Sequence, residues 1–284
     1  MNVENLLIEA TKSLKKNDIS NPRLDAEVLL SNRLNLERAY LIMHWQEEVS
    51  DDVEKDFLKD IERRFSGEPV AYIINKKEFM GLDFVLNSKV LIPRPDTEIL
   101  VEVVIEYLKK IPRNKQVLDI GTGSGAIAVS IANYVEDVKV LAVDIDKGAL
   151  ETAAENAGNI LDEPDKVELI LSDCFDKVPS DIKFDAIVSN PPYIDEREMK
   201  LLGKNVIGYE PKTALYGGVD GLDFYRKISQ QAPDKLVKGG LLAFEIGYDQ
   251  GDAVEKIIRE NGFSEVKTTK DLAGMDRVVT GVLS

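Results

Sequence analysis

The chain has 284 residues, 44% hydrophobic and 31% charged, which is the balance of a globular protein with room for two domains. Its net charge of −15 disfavours nucleic acid as the main partner, because nonspecific phosphate binding needs clustered lysine and arginine. One histidine and one cysteine argue against zinc sites, catalytic triads and internal disulfides. No apolar run approaches the roughly 18 residues of a membrane span, and a single cysteine suits a reducing compartment, so we expect a cytoplasmic protein.

Residues 1–75 predict a small domain of helices. Apolar residues recur at helical spacing over Val3–Leu14. Residues 21–34 begin with asparagine and proline, a pair typical of a helix start. Residues 50–65 begin with serine and two acids, which predicts another helix, and Gly67 is expected to end it. We expect these helices to form a bundle that is a separate small domain.

Residues 76–95 predict a connector between two domains. Residues 77–86 alternate in polarity around a glycine, which indicates a β-hairpin. Residues 92–95 read Ile-Pro-Arg-Pro, and each proline fixes its own backbone and restrains the residue before it. A hairpin followed by a stiff segment is therefore expected here.

Residues 96–284 predict an α/β domain. After a helical stripe at 99–108, short apolar runs alternate with helical segments, at 117–120, 138–143, 167–171, 186–189 and 241–245. This alternation predicts a parallel sheet with helices on both faces. The last two runs, 265–270 and 277–283, are joined by too few residues for a crossover helix, so they cannot be parallel neighbours. The sheet should therefore be mostly parallel and end in an antiparallel strand.

A glycine turn, Gly121–Gly125, follows the first strand of this domain and precedes a helix. Glycines let the chain turn sharply and let a ligand approach the backbone without interference from a Cβ atom. Open α/β sheets bind ligands at the carboxyl ends of their strands. Asp144 ends the second strand, where it could accept hydrogen bonds from a ribose. Asp173 follows the third strand, where it could accept one from an adenine amino group.

The glycine turn alone fits more than one cofactor. Gly121, Gly123 and Ala126 satisfy the relaxed dinucleotide fingerprint, and Asp144 lies about where that fingerprint places its ribose acid. A nicotinamide-dependent oxidoreductase is therefore an alternative, although Asp119 before the glycines and the antiparallel tail disfavour it. Asp119 is equally well explained as a residue that caps the next helix. If the turn bound no ligand, the occurrence of these glycines together with the strand-end acids would be a coincidence.

The most specific short motif is Asn190–Tyr193, which reads Asn-Pro-Pro-Tyr at the end of a buried strand. A planar amide or aromatic amine nitrogen is a poor nucleophile because its lone pair is delocalised. Acceptors that pull both N–H bonds out of the plane help to localise that pair. The side-chain oxygen of Asn190 and the carbonyl of Pro191 can be these acceptors, and Tyr193 can pack on the substrate. These three residues are the predicted catalytic residues for transfer of a methyl group from a sulfonium donor.

With these motifs in register, the chain resembles a class I methyltransferase acting on planar nitrogen. Three further segments, Pro22–Glu27, Gly67–Ile73 and Leu91–Glu98, resemble the peptide chain release factor N5-glutamine methyltransferases, the HemK/PrmC family. Similar matches occur later in the chain, at 210–211, 221–225, 245–247 and 271–277. The Pro-Arg-Pro connector is the most family-specific of these features.

The resemblance implies a substrate, the side-chain amide of glutamine in the Gly-Gly-Gln loop of bacterial class I peptide chain release factors. It implies S-adenosylmethionine as cofactor, bound by Asp119, Gly121, Thr122, Gly123, Ser124, Gly125, Asp144, Asp173, Cys174 and Asn190. It also implies that Asn190, Pro191, Pro192 and Tyr193 hold the glutamine. Arg94 and Glu98 either receive the release-factor loop or anchor the helix after the connector. Many relatives carry a large aromatic residue in place of Cys174, so Phe175 is a second candidate for packing on adenine.

The expected architecture is a Rossmann-like class I methyltransferase domain with a seven-stranded sheet, joined to an N-terminal helical bundle, in a monomer without a metal. An amino-methyltransferase acting on adenine or guanine in nucleic acid is the alternative, since the same loop suits those nitrogens. It would require a basic face, which the acidic charge disfavours. The stretch 194–221 contains five glycines and is a candidate for closing over the site.

Overall fold

The computed structural model of the chain describes residues 1–17, 19–201 and 208–284. The chain divides into two compact units. One comprises Met1–Lys76 with Gly203–Tyr209, and the other comprises Lys77–Leu202 with Glu210–Ser284. The predicted closing segment, 194–221, includes residues 202–207, which lie outside the described residues.

The N-terminal unit is built from helices α1 to α5, with bounds Val3–Lys15, Pro22–Leu34, Arg38–Met43, Asp51–Phe65 and Val70–Ile73. Its core contains fully buried side chains from α1, α2 and α4, among them Leu6, Leu29 and Phe57. The helices predicted over 3–14, 21–34 and 50–65 are confirmed. The predicted capping residues Asn21 and Ser50 do stand before α2 and α4, but neither makes a side-chain cap hydrogen bond within the described part of the chain.

The first two strands of the chain, β1 (Lys76–Phe79) and β2 (Leu82–Val85), form a two-stranded sheet. Seven further strands follow, with bounds β3 Lys115–Ile120, β4 Val138–Asp144, β5 Val167–Leu171, β6 Phe184–Ser189, β7 Leu236–Glu245, β8 Phe263–Lys270 and β9 Asp276–Leu283. The helices are α6 Pro95–Leu108, α7 Ala126–Tyr134, α8 Lys147–Ile160, α9 Glu196–Leu201, α10 Asp223–Gln231 and α11 Gly251–Glu260. None of the helices in the described residues is long and apolar enough to cross a membrane.

The seven strands form one sheet in the order β5-β4-β3-β6-β7-β9-β8. Pairing is parallel from β5 through β7, and β9 runs antiparallel to both β7 and β8. The predicted mostly parallel sheet with an antiparallel last strand is therefore confirmed. From β3 the chain adds β4 and then β5 on one side, and it then crosses back to add β6 and β7 on the other side of β3. The strand order therefore reverses between β3 and β6. Open α/β sheets bind ligands at such a switch point.

Strand residues alternate between two cores, because successive side chains of a strand point to opposite faces. Val117 belongs to a cluster with residues of α6, α7 and α8, whereas Leu118 belongs to a cluster with residues of α10 and α11. Helices therefore cover both faces of the sheet, as predicted.

The register determines which residues meet at the carboxyl edge. Ser189 at the end of β6 pairs with Ile120 of β3 on one side and with Phe244 of β7 on the other. Its hydroxyl also donates to the carbonyl of Ile120 at 2.7 Å. The residues that follow these three, Gly121, Asn190 and Glu245, consequently emerge side by side.

Candidate active site

A cavity of about 760 Å³ opens at the carboxyl ends of β3 to β6, beside the switch point. Its size is within the range of roughly 300–1,000 Å³ common for small-molecule sites. It is lined by eight of the residues predicted to bind cofactor or substrate, namely Gly121, Gly123, Asp144, Asp173, Cys174, Asn190, Pro191 and Pro192. The fold therefore brings together the glycine turn, the strand-end acids and the Asn-Pro-Pro segment.

The glycine turn presents bare backbone to the cavity. Gly121 and Gly123 have φ values of +75° and +55°, and a Cβ atom at either would meet nothing within 4 Å. A ligand can therefore approach these peptide units closely. Gly125 differs, because a Cβ there would lie 3.1 Å from the Cβ of Ala153 on α8. The absence of a side chain at Gly125 therefore allows α8 to pack closely against the turn.

Asp144 lines the cavity with a carboxylate held in place by backbone N–H groups. Oδ2 accepts from the Gly123 N–H at 2.9 Å, and Oδ1 accepts from the Asp146 N–H at 2.9 Å. Burial raises the pKa of Asp144 above its ordinary value. Each carboxylate oxygen has a second lone pair, so Asp144 can also accept hydrogen bonds from a hydroxyl-bearing ligand.

Asp119 is fully buried, and its carboxylate lies behind the glycine turn. Oδ2 accepts from the hydroxyl of Thr122 at 2.7 Å, while Oδ1 has no hydrogen-bond partner within the described residues. Burial raises the pKa of Asp119 to about 7. The described cavity lining does not include Asp119, Thr122, Ser124 or Gly125, so their cofactor contacts stay predictions. The hydrogen bond to Thr122 gives Asp119 a part in shaping the turn.

Asp173 and Cys174 line the far side of the cavity. Oδ1 of Asp173 lies 2.7 Å from Nζ of Lys227, and this hydrogen-bonded ion pair holds the pKa of Asp173 below its ordinary value. Burial raises the pKa of Cys174 to about 12, so its side chain is a neutral thiol. Phe175 is buried in the core cluster and is not part of the described lining, so of these two candidates Cys174 is the one that lines the cavity. Its packing on adenine stays a prediction.

Asn190 reaches the cavity from the end of β6. Its Nδ2 donates to the hydroxyl of Thr97 at 3.2 Å, which leaves Oδ1 available to accept an N–H of a substrate. Tyr193 packs against the core, outside the described lining, and burial raises its pKa to about 12. Its predicted contact with the substrate stays a prediction.

Two contacts fix the backbone of this loop. The carbonyl of Tyr193 accepts from Nε2 of Gln250 at 3.0 Å, and Oε1 of Gln250 accepts from the Gly247 N–H at 3.0 Å. A Cβ at Gly217 would lie 2.5 Å from the Pro192 carbonyl oxygen, so the chain at Gly217 lies directly against the loop. No motif in the sequence pointed to Gln250, because its contact with the loop comes from a distant part of the chain.

Arg94 and Glu98 make contacts within their own unit. Nη2 of Arg94 donates to both carboxylate oxygens of the buried Glu210, at 2.6 and 2.8 Å. Oε1 of Glu98 accepts from the Met80 N–H at 2.7 Å. The described cavity lining includes neither residue. These contacts favour the interpretation that Arg94 and Glu98 anchor the helix after the connector. Their role in receiving the release-factor loop stays a prediction.

Comparisons with known proteins agree with this architecture. Residues 5–74 match the family described as PrmC N-terminal domain, and residues 96–213 match the methyltransferase small domain. A release factor glutamine methyltransferase of Clostridium acetobutylicum is 44% identical over 283 residues, covering 99% of each chain. The chain belongs to the release factor glutamine methyltransferase family. Another member, from Neisseria gonorrhoeae, is 44% identical over 261 residues, covering 92% of this chain and 93% of the relative.

A solved structure supports the fold of this family member. The hMettl16 catalytic domain, in complex with MAT2A 3′UTR hairpin 1, matches with a TM-score of 0.60 and 15% identity. The match covers 86% of this chain and 85% of the other, and at that identity it shows a shared fold alone. The predicted class I methyltransferase fold is confirmed. Family membership also leaves the nicotinamide-dependent oxidoreductase without support.

The cofactor of a release factor glutamine methyltransferase is S-adenosylmethionine, as predicted from the sequence. The residues present fit it. The cavity has open space beside Gly121 and Gly123, a carboxylate at Asp144 for a ribose, and a neutral surface at Cys174. Among the described residues, no group of His, Cys, Asp and Glu side chains is suited to holding a metal ion.

Proposed function

We propose that this protein transfers a methyl group from S-adenosylmethionine to the side-chain amide nitrogen of the glutamine in the Gly-Gly-Gln loop of class I peptide chain release factors. The observation that carries the proposal is the position of Asn190 to Pro192, which line the same cavity as the glycine turn. Similarity over almost the full length to release factor glutamine methyltransferases supports this substrate. We further propose that the enzyme acts as a monomer in the cytoplasm, with residues 1–75 recognising the release factor.

In this proposal the loop holds the amide nitrogen and makes it more nucleophilic. Oδ1 of Asn190 accepts one N–H of the glutamine amide, and the carbonyl of Pro191 accepts the other. The two prolines limit the motion of that carbonyl. When bound, S-adenosylmethionine would supply a methyl group activated by its positive sulfur, and the amide nitrogen releases one proton to solvent as it is methylated. The residues of the loop orient the amide and bring it close.

The energetics of this arrangement are adequate. Two preorganised acceptors at about 1–2 kcal/mol each accelerate transfer by roughly tenfold to several hundredfold, and proximity adds to this. A carboxylate in place of the amide would offer no N–H and leave both acceptors unpaired. Mismatches of that kind can reduce the rate by several orders of magnitude. The loop thus explains selectivity for glutamine over glutamate.

Adenine and guanine amino groups are planar nitrogens as well, so the loop by itself would suit them. The net charge of −15 opposes binding to a phosphate backbone, and the relatives named above are release factor methyltransferases. We therefore propose that nucleic acid is not the substrate.

A labelling experiment tests the proposed function. Purified enzyme and radiolabelled S-adenosylmethionine are incubated with a release factor, with the same factor carrying Gln→Glu in its loop, and with total tRNA and DNA. We expect label on the intact release factor alone. Label on nucleic acid, or equal label on the Glu version, would contradict the proposal.

A substitution at Gly217 tests the importance of the loop backbone. In Gly217→Ala the new Cβ would contact the Pro192 carbonyl oxygen and displace the loop, and a shift near 1 Å can cost about a hundredfold in rate. We expect at least about a tenfold lower kcat for release-factor methylation with little change in cofactor affinity. Gly158→Ala on α8 is the matched control, because its Cβ would meet nothing within 4 Å. Equal activity of the two variants would show that the loop tolerates displacement.

A further inference from the structure

A buried carboxylate stands next to the Asn-Pro-Pro-Tyr loop without an evident structural role. Glu245 ends β7, is 1% exposed, and lies beside Asn190 because Phe244 pairs with Ser189. Its Oε2 has no hydrogen-bond partner within the described residues. A partly unsatisfied buried carboxylate costs free energy of folding, so a purely structural account of Glu245 is incomplete.

Glu245 lies close to Asn190 and to Thr97, the hydrogen-bond partner of Asn190. Nδ2 of Asn190 donates to the hydroxyl oxygen of Thr97. The side chains of Thr97 and Asn190 favour the ionised form of the Glu245 carboxylate, which places both of them near it. A hydroxyl can accept one hydrogen bond and donate another, so Thr97 can accept from Asn190 and still donate to the carboxylate.

We propose that Glu245 is a positioning residue, which acts with Thr97 to hold the Asn190 amide with its oxygen facing the cavity. In the reversed orientation Oδ1 would face a carboxylate, and two acceptors would oppose each other. The negative charge behind Nδ2 also polarises the amide, which makes Oδ1 a stronger acceptor. The effect on methylation rests on the function proposed above, whereas the orientation of Asn190 does not.

Because Glu245 can be ionised or protonated, the orientation of the Asn190 amide is sensitive to pH. Burial raises the pKa of Glu245 to about 7, so the carboxylate is ionised above this pH and protonated below it. The charged and titratable groups that face it come from α6, the loop after β6, α10 and β9, namely Asp96, Tyr193, Tyr225 and Arg277. Arg277 favours the ionised form and Asp96 opposes it. A protonated Glu245 could donate to Oδ1 and stabilise the reversed amide, so kcat should fall as pH falls through about 7.

Kinetics of four variants test the proposal. Glu245→Gln and Thr97→Val should lower kcat by about tenfold or more while KM for S-adenosylmethionine changes by less than about twofold. Thr97→Ser keeps the hydroxyl and should retain most activity. Glu245→Gln should also lose the decline of kcat below pH 7. Asp185→Asn is the matched control, because Asp185 is a buried carboxylate at the start of β6, where it pairs with Arg113. Its pH profile should match the wild type.

A measurement without substrate separates this proposal from the proposed function. In protein with isotope-labelled asparagine, the side-chain NH₂ signals of Asn190, assigned by their absence in Asn190→Ala, should shift with a midpoint near pH 7. The shift should persist in Asp185→Asn and vanish in Glu245→Gln. Absence of the shift in the wild type, or a wild-type kcat and pH profile in Glu245→Gln, would overturn the positioning role. Wild-type enzyme that methylates no release factor would instead overturn the proposed function, and the Asn190 signals would still decide this proposal.

Discussion

Replacing Asn190 with alanine should lower kcat for methylation of the release factor by about 10- to 100-fold, with less than about a fivefold change in affinity for S-adenosylmethionine. The variant loses Oδ1, so one N–H of the substrate amide has no acceptor and the lone pair stays delocalised. The glycine turn and the Asp144 carboxylate remain in place. Single-turnover transfer measures the first effect, and calorimetric titration with cofactor measures the second.

The control for this variant is Asn87→Ala. Asn87 also donates through Nδ2 to a threonine hydroxyl, that of Thr152, at 2.7 Å, but it is not part of the described cavity lining. It should keep kcat near the wild-type value even if its folding stability falls. A large loss of cofactor affinity in Asn190→Ala would show that Asn190 mainly binds the cofactor. An unchanged kcat in Asn190→Ala would contradict the proposal that the loop holds the substrate nitrogen.

The elements of the fold could be predicted because their signals are local. Alternating polarity and helical spacing identified most strands, and the helices for which bounds were predicted, within a few residues of their observed bounds. The run at 241–245 is only the second half of β7, which begins at Leu236, and the later helices were expected only as unbounded helical segments. The short helix Arg38–Met43 was missed, since six residues carry too little periodicity to detect. The adjacency of β6 to both β3 and β7 was also beyond prediction from local patterns, because it is a property of the whole sheet.

For the site too, local features could be predicted from the sequence, whereas features that depend on the whole fold could not. Gly121–Gly125 and Asn190–Tyr193 are contiguous motifs whose chemistry can be deduced from the residue types. The partners of these motifs are distant in sequence. Thr97 lies 93 residues before Asn190, and Glu245 reaches it only through the register of β6 and β7. Their closeness to Asn190 therefore comes from tertiary structure, namely the pairing of β6 with β7 for Glu245 and the position of α6 for Thr97.

Two of the acids predicted to bind the cofactor show a further limit of sequence-based prediction. Asp119 and Asp144 both stand at the carboxyl edge of the sheet, and the sequence gives no measure of how deeply each is buried. The structure separates them, since Asp144 lines the cavity and Asp119 lies behind the turn. Register accounts for this, because Asp144 is the last residue of its strand whereas Ile120 still follows Asp119 in β3.

Replacing Asp144 with alanine should raise the Kd for S-adenosylmethionine by about 10- to 100-fold, because hydrogen bonds to a charged acceptor are worth about 1.5–3 kcal/mol. The loss also frees the Gly123 N–H that Asp144 now holds, so the turn itself loosens. At saturating cofactor, kcat should recover most of the wild-type value, since Asn190 is unchanged. Equilibrium titration measures Kd, and Asp165→Ala, which removes an exposed carboxylate paired with Lys139, is the control.

Both cofactors considered from the sequence carry a ribose, so a loss of affinity in Asp144→Ala would not by itself distinguish them. Titration of the wild-type enzyme with a nicotinamide dinucleotide makes the distinction, and we expect no binding at concentrations that saturate with S-adenosylmethionine. Unchanged affinity for S-adenosylmethionine in Asp144→Ala would mean that the ribose is held elsewhere. In that case the two N–H groups bonded to Asp144 would make it a structural brace of the glycine turn.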